Sequence, residues 1–115
     1  MSINTLEFTR LIETFRELDP EMQAQIMLVF LTIGRHSATS QRDLQLELNM
    51  TDGSTSRAVA YWSELRFDKK PGQNMIERYE DPRDRRYKMV RLNAKGRRFY
   101  EKLQAMGGVR SGHAV

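Results

Sequence analysis

Two short stretches hold the residues whose types and spacing could do chemistry. The first is Glu80-Asp81-Pro82-Arg83-Asp84-Arg85-Arg86, which gathers Arg83, Arg85 and Arg86 around Asp84 beside a proline. Side chains two apart on an extended strand point the same way, so Asp84 can hold the Arg86 guanidinium in a fixed fork. The bland alternative is an exposed ion pair on a tight turn, worth at most ~1 kcal/mol. The second stretch is Gly53-Ser54-Thr55-Ser56-Arg57, with Tyr61 one helical turn further on. Ser54, Thr55 and Ser56 are small and polar and allow close approach to a groove floor. Arg57 can bond guanine O6 and N7 together, or clamp a phosphate. Tyr61 can reach a sugar–phosphate backbone or a thymine methyl. Arg35, Arg42, Lys69 and Lys70 are further candidates for phosphate contacts, each equally readable as a solvated surface charge.

Other chemistry fails on inventory. The sequence contains no cysteine, which excludes disulfides, thiolate catalysis and Cys-based zinc sites. His36 and His113 lie in unlike segments, and no carboxylate–histidine spacing suggests a metal site. There is no Gly-rich phosphate loop, nucleophile elbow or nucleophile–base pair. Glu80, Asp81 and Asp84 cluster, but among arginines on a turn and not in an apolar pocket that would raise a pKa. Seven methionines are most simply gap-fillers in core and interface. The expectation is a binding protein, not an enzyme, with no cofactor and no metal.

Charge supports a polyanion partner. The chain of 115 residues has a net charge of +4 and is 39% apolar and 30% charged, with a mean hydropathy of −0.66. Residues 1–69 hold 7 basic and 10 acidic residues, whereas residues 70–102 hold 11 basic and 5 acidic ones. One sign of charge concentrated in one segment is the footprint expected of a polyanion partner, its bland alternative being a solvated basic face. No apolar run approaches the ~18–20 residues that cross a bilayer, and the N-terminus does not read as a leader. A cytoplasmic protein with no membrane partner is expected.

Periodicity supplies the elements that must position these groups. Residues 4–18 carry Leu6, Phe8, Leu11, Ile12, Phe15 and Leu18 at helical spacing. Asp19-Pro20 breaks the pattern, and Pro20 suits the first turn of a second helix capped by Asp19, which shows Met22, Ile26, Val29, Phe30 and Ile33 on one face and ends at Gly34. Residues 36–39 read as a polar connection. Thr39 or Ser40 caps a third helix bearing Leu44, Leu46 and Leu48. After Asn49-Met50-Thr51, a fourth helix capped by Thr51 or Asp52 runs to about residue 67. Its wheel puts Thr55, Ala58, Val59, Trp62 and Leu65 on the core face and Arg57, Ala60, Tyr61 and Glu64 outside. Residues 40–67 thus form a helix-turn-helix. Two alternating runs, residues 75–79 and 86–92, flank the charged turn as a β-hairpin, a wing over residues 73–92. Asn93 caps a last helix carrying Phe99, Leu103 and Met106. Residues 1–106 read as a single domain and 107–115 as a disordered tail.

Helices, helix-turn-helix, charged hairpin and helix make a winged helix: mainly α with a small β-hairpin wing. The run from Ile76 to Gly96 resembles the wing of the MarR family, through its Asp84-x-Arg86 and its Leu92-Asn93-Ala94-Lys95-Gly96. Asn93 stands where that family usually has threonine. Asp43-Leu44 and Ser54-Thr55-Ser56-Arg57 resemble its support and recognition helices. The resemblance implies a transcriptional regulator that binds duplex DNA as a homodimer, recognition helix in the major groove and wing in the minor groove. It makes Arg86 the minor-groove arginine and Asp84 its orienting partner. Two departures stand out. The link over residues 67–74 is longer than the family's, and the chain ends soon after Met106, where family members continue through long dimerisation helices. The dimer seam is therefore expected on helix 4–18 together with the last helix. A small-molecule effector is known in the fold, but no residue here argues for one. The rival reading is a winged-helix module whose basic wing docks an acidic protein surface.

Overall fold

A computed structural model describes residues 4–66 and 68–106. Helix α1 (Thr5–Leu18) opens on a reciprocal cap: Glu7 N–H donates to Asn4 Oδ1 at 2.8 Å and Asn4 N–H to Glu7 Oε1 at 3.1 Å. It buries Thr14 and Phe15 and leaves Leu6 and Phe8 more than half exposed, at 57% and 54%. Helix α2 (Ala24–Arg35) starts four residues later than Pro20 suggests, capped by Gln23 without a side-chain bond. The reason is a competing turn. Asp19 Oδ1 accepts from Glu21 N–H at 3.0 Å and the Asp19 carbonyl from Met22 N–H at 3.0 Å, so Asp19 closes the loop and does not cap the helix. Gly34 does not end α2 either. It lies inside the helix, where a Cβ would sit 2.3 Å from the Tyr100 ring, and His36 takes the cap in an extended conformation.

Residues 39–40 are strand β1 (Thr39–Ser40), pairing antiparallel with the central strand of a three-stranded sheet. Two residues are too few for alternation to reveal. Ser40 also caps α3 (Gln41–Leu48), accepting from Asp43 N–H at 2.9 Å. Leu44 is buried there, Leu48 partly so, and Leu46 stands 63% exposed. Asn49 closes α3 in the left-handed region at φ 52°. Thr51 then caps α4 (Asp52–Trp62) through Ser54 N–H at 3.1 Å.

Helix α4 stops at Trp62, well short of residue 67. The chain returning through residues 72–75 explains it. Gln73, Met75, Asn74 and Gly72 donate their N–H groups to the carbonyls of Tyr61, Trp62, Ser63 and Glu64. Those carbonyls need no further helical turn. Leu65, expected in the core, is therefore 49% exposed and bridges to Pro71. Ala60, expected outside, is buried at 1%.

Strands β2 (Ile76–Asp81) and β3 (Asp84–Leu92) form the wing in the order β1-β3-β2. They extend further into the charged segment than alternation indicated. Only Pro82 and Arg83 lie between the strands, with Asp81 Oδ1 accepting from Arg83 N–H at 2.9 Å and a bulge at Glu80/Asp81. Asn93 caps α5 (Ala94–Met106) by accepting from Gly96 N–H at 2.8 Å. Gly96 is required by space: a Cβ there would lie 2.0 Å from the Met75 carbonyl oxygen. In the core Phe15 packs edge to face with Phe30, Trp62 and Phe99, the Phe30 and Trp62 rings lie tilted at 39°, and Trp62 Nε1 donates to the Ile26 carbonyl at 2.8 Å. That bond makes Trp62 a core residue and fixes α4 on α2. The proposed tail, residues 107–115, lies outside the described residues. Among the described residues no helix is long and apolar enough to cross a membrane.

Candidate nucleic-acid interface

Within the wing, the alternation of β3 brings Asp84 and Arg86 to one side. Asp84 Oδ1 accepts from Arg86 Nε at 2.9 Å and from its backbone N–H at 3.1 Å, while Oδ2 accepts from Arg86 Nη2 at 2.7 Å. This is a two-bonded fork with a third bond to the main chain. The Arg86 side-chain bond holds the Asp84 carboxyl below its ordinary range, helped by that backbone N–H, and the Arg86 guanidinium is pushed up in turn by Asp84. The Asp84 side chain is 30% exposed and that of Arg86 85%. The aspartate is thus set in the hairpin while the arginine projects from it. Arg83, at 91%, projects from the tip with its Nε 3.7 Å from Asp81. Arg85 is exposed on the other side of the strand.

In α4 the polar first turn divides. Thr55 is fully buried and donates to the Thr51 carbonyl at 2.8 Å, so it supports the helix and cannot face a groove. Ser54 and Ser56 are half-buried. Arg57 is exposed and folds back toward the helix start, its Nη2 3.5 Å from Ser54 Oγ and its Nη1 3.4 Å from where a Gly53 Cβ would be.

Tyr61 is committed elsewhere. Its hydroxyl donates to Asp19 Oδ2 at 2.7 Å and accepts from Gln73 Nε2 at 3.2 Å. Burial, with the bond to Asp19, pushes its pKa up to about 12. The phenol braces α4 against the turn after α1, with the Arg66 guanidinium 5.9 Å from its ring centroid. Tyr61 is expected at a DNA backbone from its type and spacing, and the structure gives its polar end to the protein.

The four candidate phosphate contacts differ in freedom. Arg35 is paired with Glu47 at 3.1 Å, and His36 Nε2 lies 3.1 Å from the other oxygen of that carboxylate. His36 and, less strongly, Arg35 hold the Glu47 carboxyl below its ordinary range. Arg42, Lys69 and Lys70 are exposed. Both lysines belong to the long link, which is a built loop: Arg66 N–H donates to the Lys70 carbonyl at 2.9 Å, and Arg66 Nη2 pairs with Asp68 at 2.9 Å. Lys69 sits there at φ 70°.

Two clefts flank α4. One, of about 410 Å³, lies toward the α1–α2 turn and is bordered by Asp19, Arg57, Tyr61 and Arg66. The other, of about 540 Å³, runs between α3, α4 and the wing, and brings Arg42, Ser56, Arg86 and Lys88 to one opening. Arg57 and Arg86 therefore stand on opposite flanks of the helix. Gln41, Gln45 and Lys88 also border the wing-side cleft. Sequence reasoning missed them, because a glutamine in a first helical turn carries no signal until its neighbour across the turn is known. Among the described residues, no group of three or more His, Asp or Glu converges as a metal would need.

No protein-family model matches this chain, and no curated protein does. Solved structures do. FabT of Streptococcus pneumoniae, in complex with DNA, aligns over 74% of this chain and 54% of its own at 20% identity, with a TM-score of 0.61. A mutant MarR from E. coli complexed with operator DNA aligns over 94% of this chain and 72% of its own at 18% identity and a TM-score of 0.64. RV1404 from Mycobacterium tuberculosis aligns over 95% and 69% at 16% identity, with a TM-score of 0.70. The chain thus spans a little over half of the FabT chain and about seven tenths of the other two.

Proposed function

The chain has the winged-helix fold of the MarR-type regulators, and on that premise we propose that it is a sequence-specific, duplex-DNA-binding transcriptional regulator and not an enzyme. In this reading α4 enters the major groove and the β2–β3 hairpin the flanking minor groove. The observation that carries it is the fork at the wing: an exposed guanidinium held by Asp84 and aimed from the end of a hairpin. A narrow A·T-rich minor groove has an enhanced negative potential that attracts such an arginine. Arg57, Ser54 and Ser56 supply the base-facing end of the helix. Arg42, Lys69, Lys70, Arg83 and Arg85 supply phosphate contacts.

We infer a homodimer as well. One recognition helix makes few base contacts, and two-fold symmetry doubles them. The exposed Leu6 and Phe8 on α1 offer an apolar stretch for the seam. A cytoplasmic location goes with a chromosomal target.

Selection of bound fragments from random duplex DNA tests the reading directly. Enrichment of a two-fold-related motif with A·T-rich flanks, bound with a steep salt dependence, is the expected result. No enrichment, or binding that a generic acidic protein abolishes equally well, would point instead to a wing that docks a protein.

A further inference from the structure

The two helices of the helix-turn-helix are joined by a side-chain bond that the DNA-binding reading leaves unused. Gln41, the first residue of α3, donates from Nε2 to Ser56 Oγ on α4 at 2.9 Å. Both residues are half-buried and both border the wing-side cleft with Arg86.

Ser56, like Ser54, differs from the hydroxyls that bond back to their own backbone. Thr14, Thr32, Thr55 and Ser63 each donate to the carbonyl four residues earlier, which ties up the hydroxyl hydrogen. Ser56 accepts, and no described residue accepts from its hydrogen. A hydroxyl has one hydrogen to give and two lone pairs to receive. With a lone pair held by the glutamine amide, the hydrogen is left for another acceptor, and the cleft that Ser56 borders is where one can reach it.

We propose that Gln41 is a positioning residue for base reading: it polarises Ser56 into a hydrogen-bond donor, so that α4 favours an acceptor and rejects cytosine at one position of the site. This rests on the DNA-binding reading above. The chemistry follows from the major-groove edges. Purine N7, guanine O6 and thymine O4 all accept, whereas cytosine presents the N4 amino group, a donor. An oxygen already accepting from the Gln41 amide is the better donor to those acceptors and the poorer acceptor for the cytosine amino group, so cytosine is the weakest of the four partners.

The test places each of the four bases at every position of the site selected by the wild-type chain. Binding is then measured for the wild type, Ser56→Ala and Gln41→Glu. One position should disfavour cytosine by about three- to tenfold in the wild type, the scale of one neutral hydrogen bond. Ser56→Ala should bind all four bases there alike. Gln41→Glu should invert the preference. A carboxylate only accepts, so it draws the Ser56 hydrogen to itself and leaves the serine lone pairs for the cytosine amino group. Glutamate suits the first turn of a helix, so this variant keeps its fold. Its added charge weakens binding to every sequence alike, which leaves the pattern of preference as the readout. A mere packing role for Gln41 would change affinity for all sequences equally in Gln41→Glu, and that result overturns the inference while the DNA-binding reading stands. The same holds if no cytosine penalty is erased by Ser56→Ala. If the wild type selects no sequence at all, both readings fall together.

Discussion

The β2–β3 wing and helix α4 hold their arginines in opposite ways. In the wing the scaffold is light: from Glu77 to Lys88 no residue is fully buried. Its key side chain is nevertheless fixed, because Asp84 grips Arg86 through both terminal contacts. In α4 the scaffold is heavy, with Ala58, Val59, Ala60 and Trp62 all at 1% exposure or less. There Arg57 has only a long 3.5 Å contact to Ser54. A hairpin with little core behind it must orient its arginine locally. A helix welded to the core can leave its arginine free to settle on whichever base edge it meets. In the proposed DNA complex the entropy of ordering would be met before binding at one site and during binding at the other.

The largest effect is expected from Arg86→Ala. A hydrogen-bonded charge on DNA contributes ~1.5–3 kcal/mol, so affinity should drop about ten- to a hundredfold. The loss should be greatest on sites with A·T-rich flanks. Fluorescence anisotropy on paired probes, identical but for their flanks, checks this. Equal losses on both would make the wing a general phosphate clamp.

Arg57→Ala should act differently in kind. Loss of one two-bonded base contact costs ~1–3 kcal/mol at a single base pair and little on random DNA. Competition between selected and random duplexes measures the ratio. A parallel loss on both would place Arg57 on the backbone and erase the contrast with the wing.

Asp84→Asn should weaken binding a few-fold, and its sign is the informative part. Removing an acid from beside phosphates ought to tighten the complex if only net charge mattered. Losing the fork frees the Arg86 guanidinium and forfeits its preorganisation, which acts the other way. Tighter binding at ordinary salt would show that the pair is ornamental. The depressed pKa of Asp84 sets the pH window. Its contribution is complete above the ordinary carboxylate range and is lost only as pH falls through the lowered value. Between pH 6 and 8 this pair should therefore add no slope to the binding curve.

The same contrast explains what was legible in the sequence. The fork at Asp84 and Arg86 follows from strand alternation, and the caps at Ser40, Thr51 and Asn93 from residue type next to an apolar period. Local rules sufficed there because the partners are two or three residues apart. Most of the misses depend on distant partners. The end of α4 is set by carbonyls that residues 72–75 satisfy, Gly34 by the Tyr100 ring, and Gln41 by Ser56 across the turn. The late start of α2 is the exception, a local turn at Asp19 outcompeting a proline that suits a helix start.

Tyr61 is where local and distant rules collide, and it supplies the smallest expected effect on DNA. By spacing it lies one turn after Arg57, on the same flank; by contact its hydroxyl belongs to Asp19 and Gln73. Tyr61→Phe should leave DNA affinity unchanged and lower stability by ~1 kcal/mol, the worth of one hydrogen bond. The pH dependence separates this from a generic packing defect. With a folded pKa raised from 10.0 to about 12, the tyrosine stays protonated in the folded chain after the unfolded chain has begun to lose its proton. Its stabilisation is complete below pH 10 and declines as pH rises toward 12. The stability gap between the two proteins should accordingly be constant up to pH 10 and shrink as pH rises from there. A gap that persists in alkali would mean that the hydroxyl–Asp19 bond is not what holds α4 to the turn. A loss of DNA affinity at neutral pH, with stability intact, would return Tyr61 to the reading surface and extend that surface a full turn along the helix.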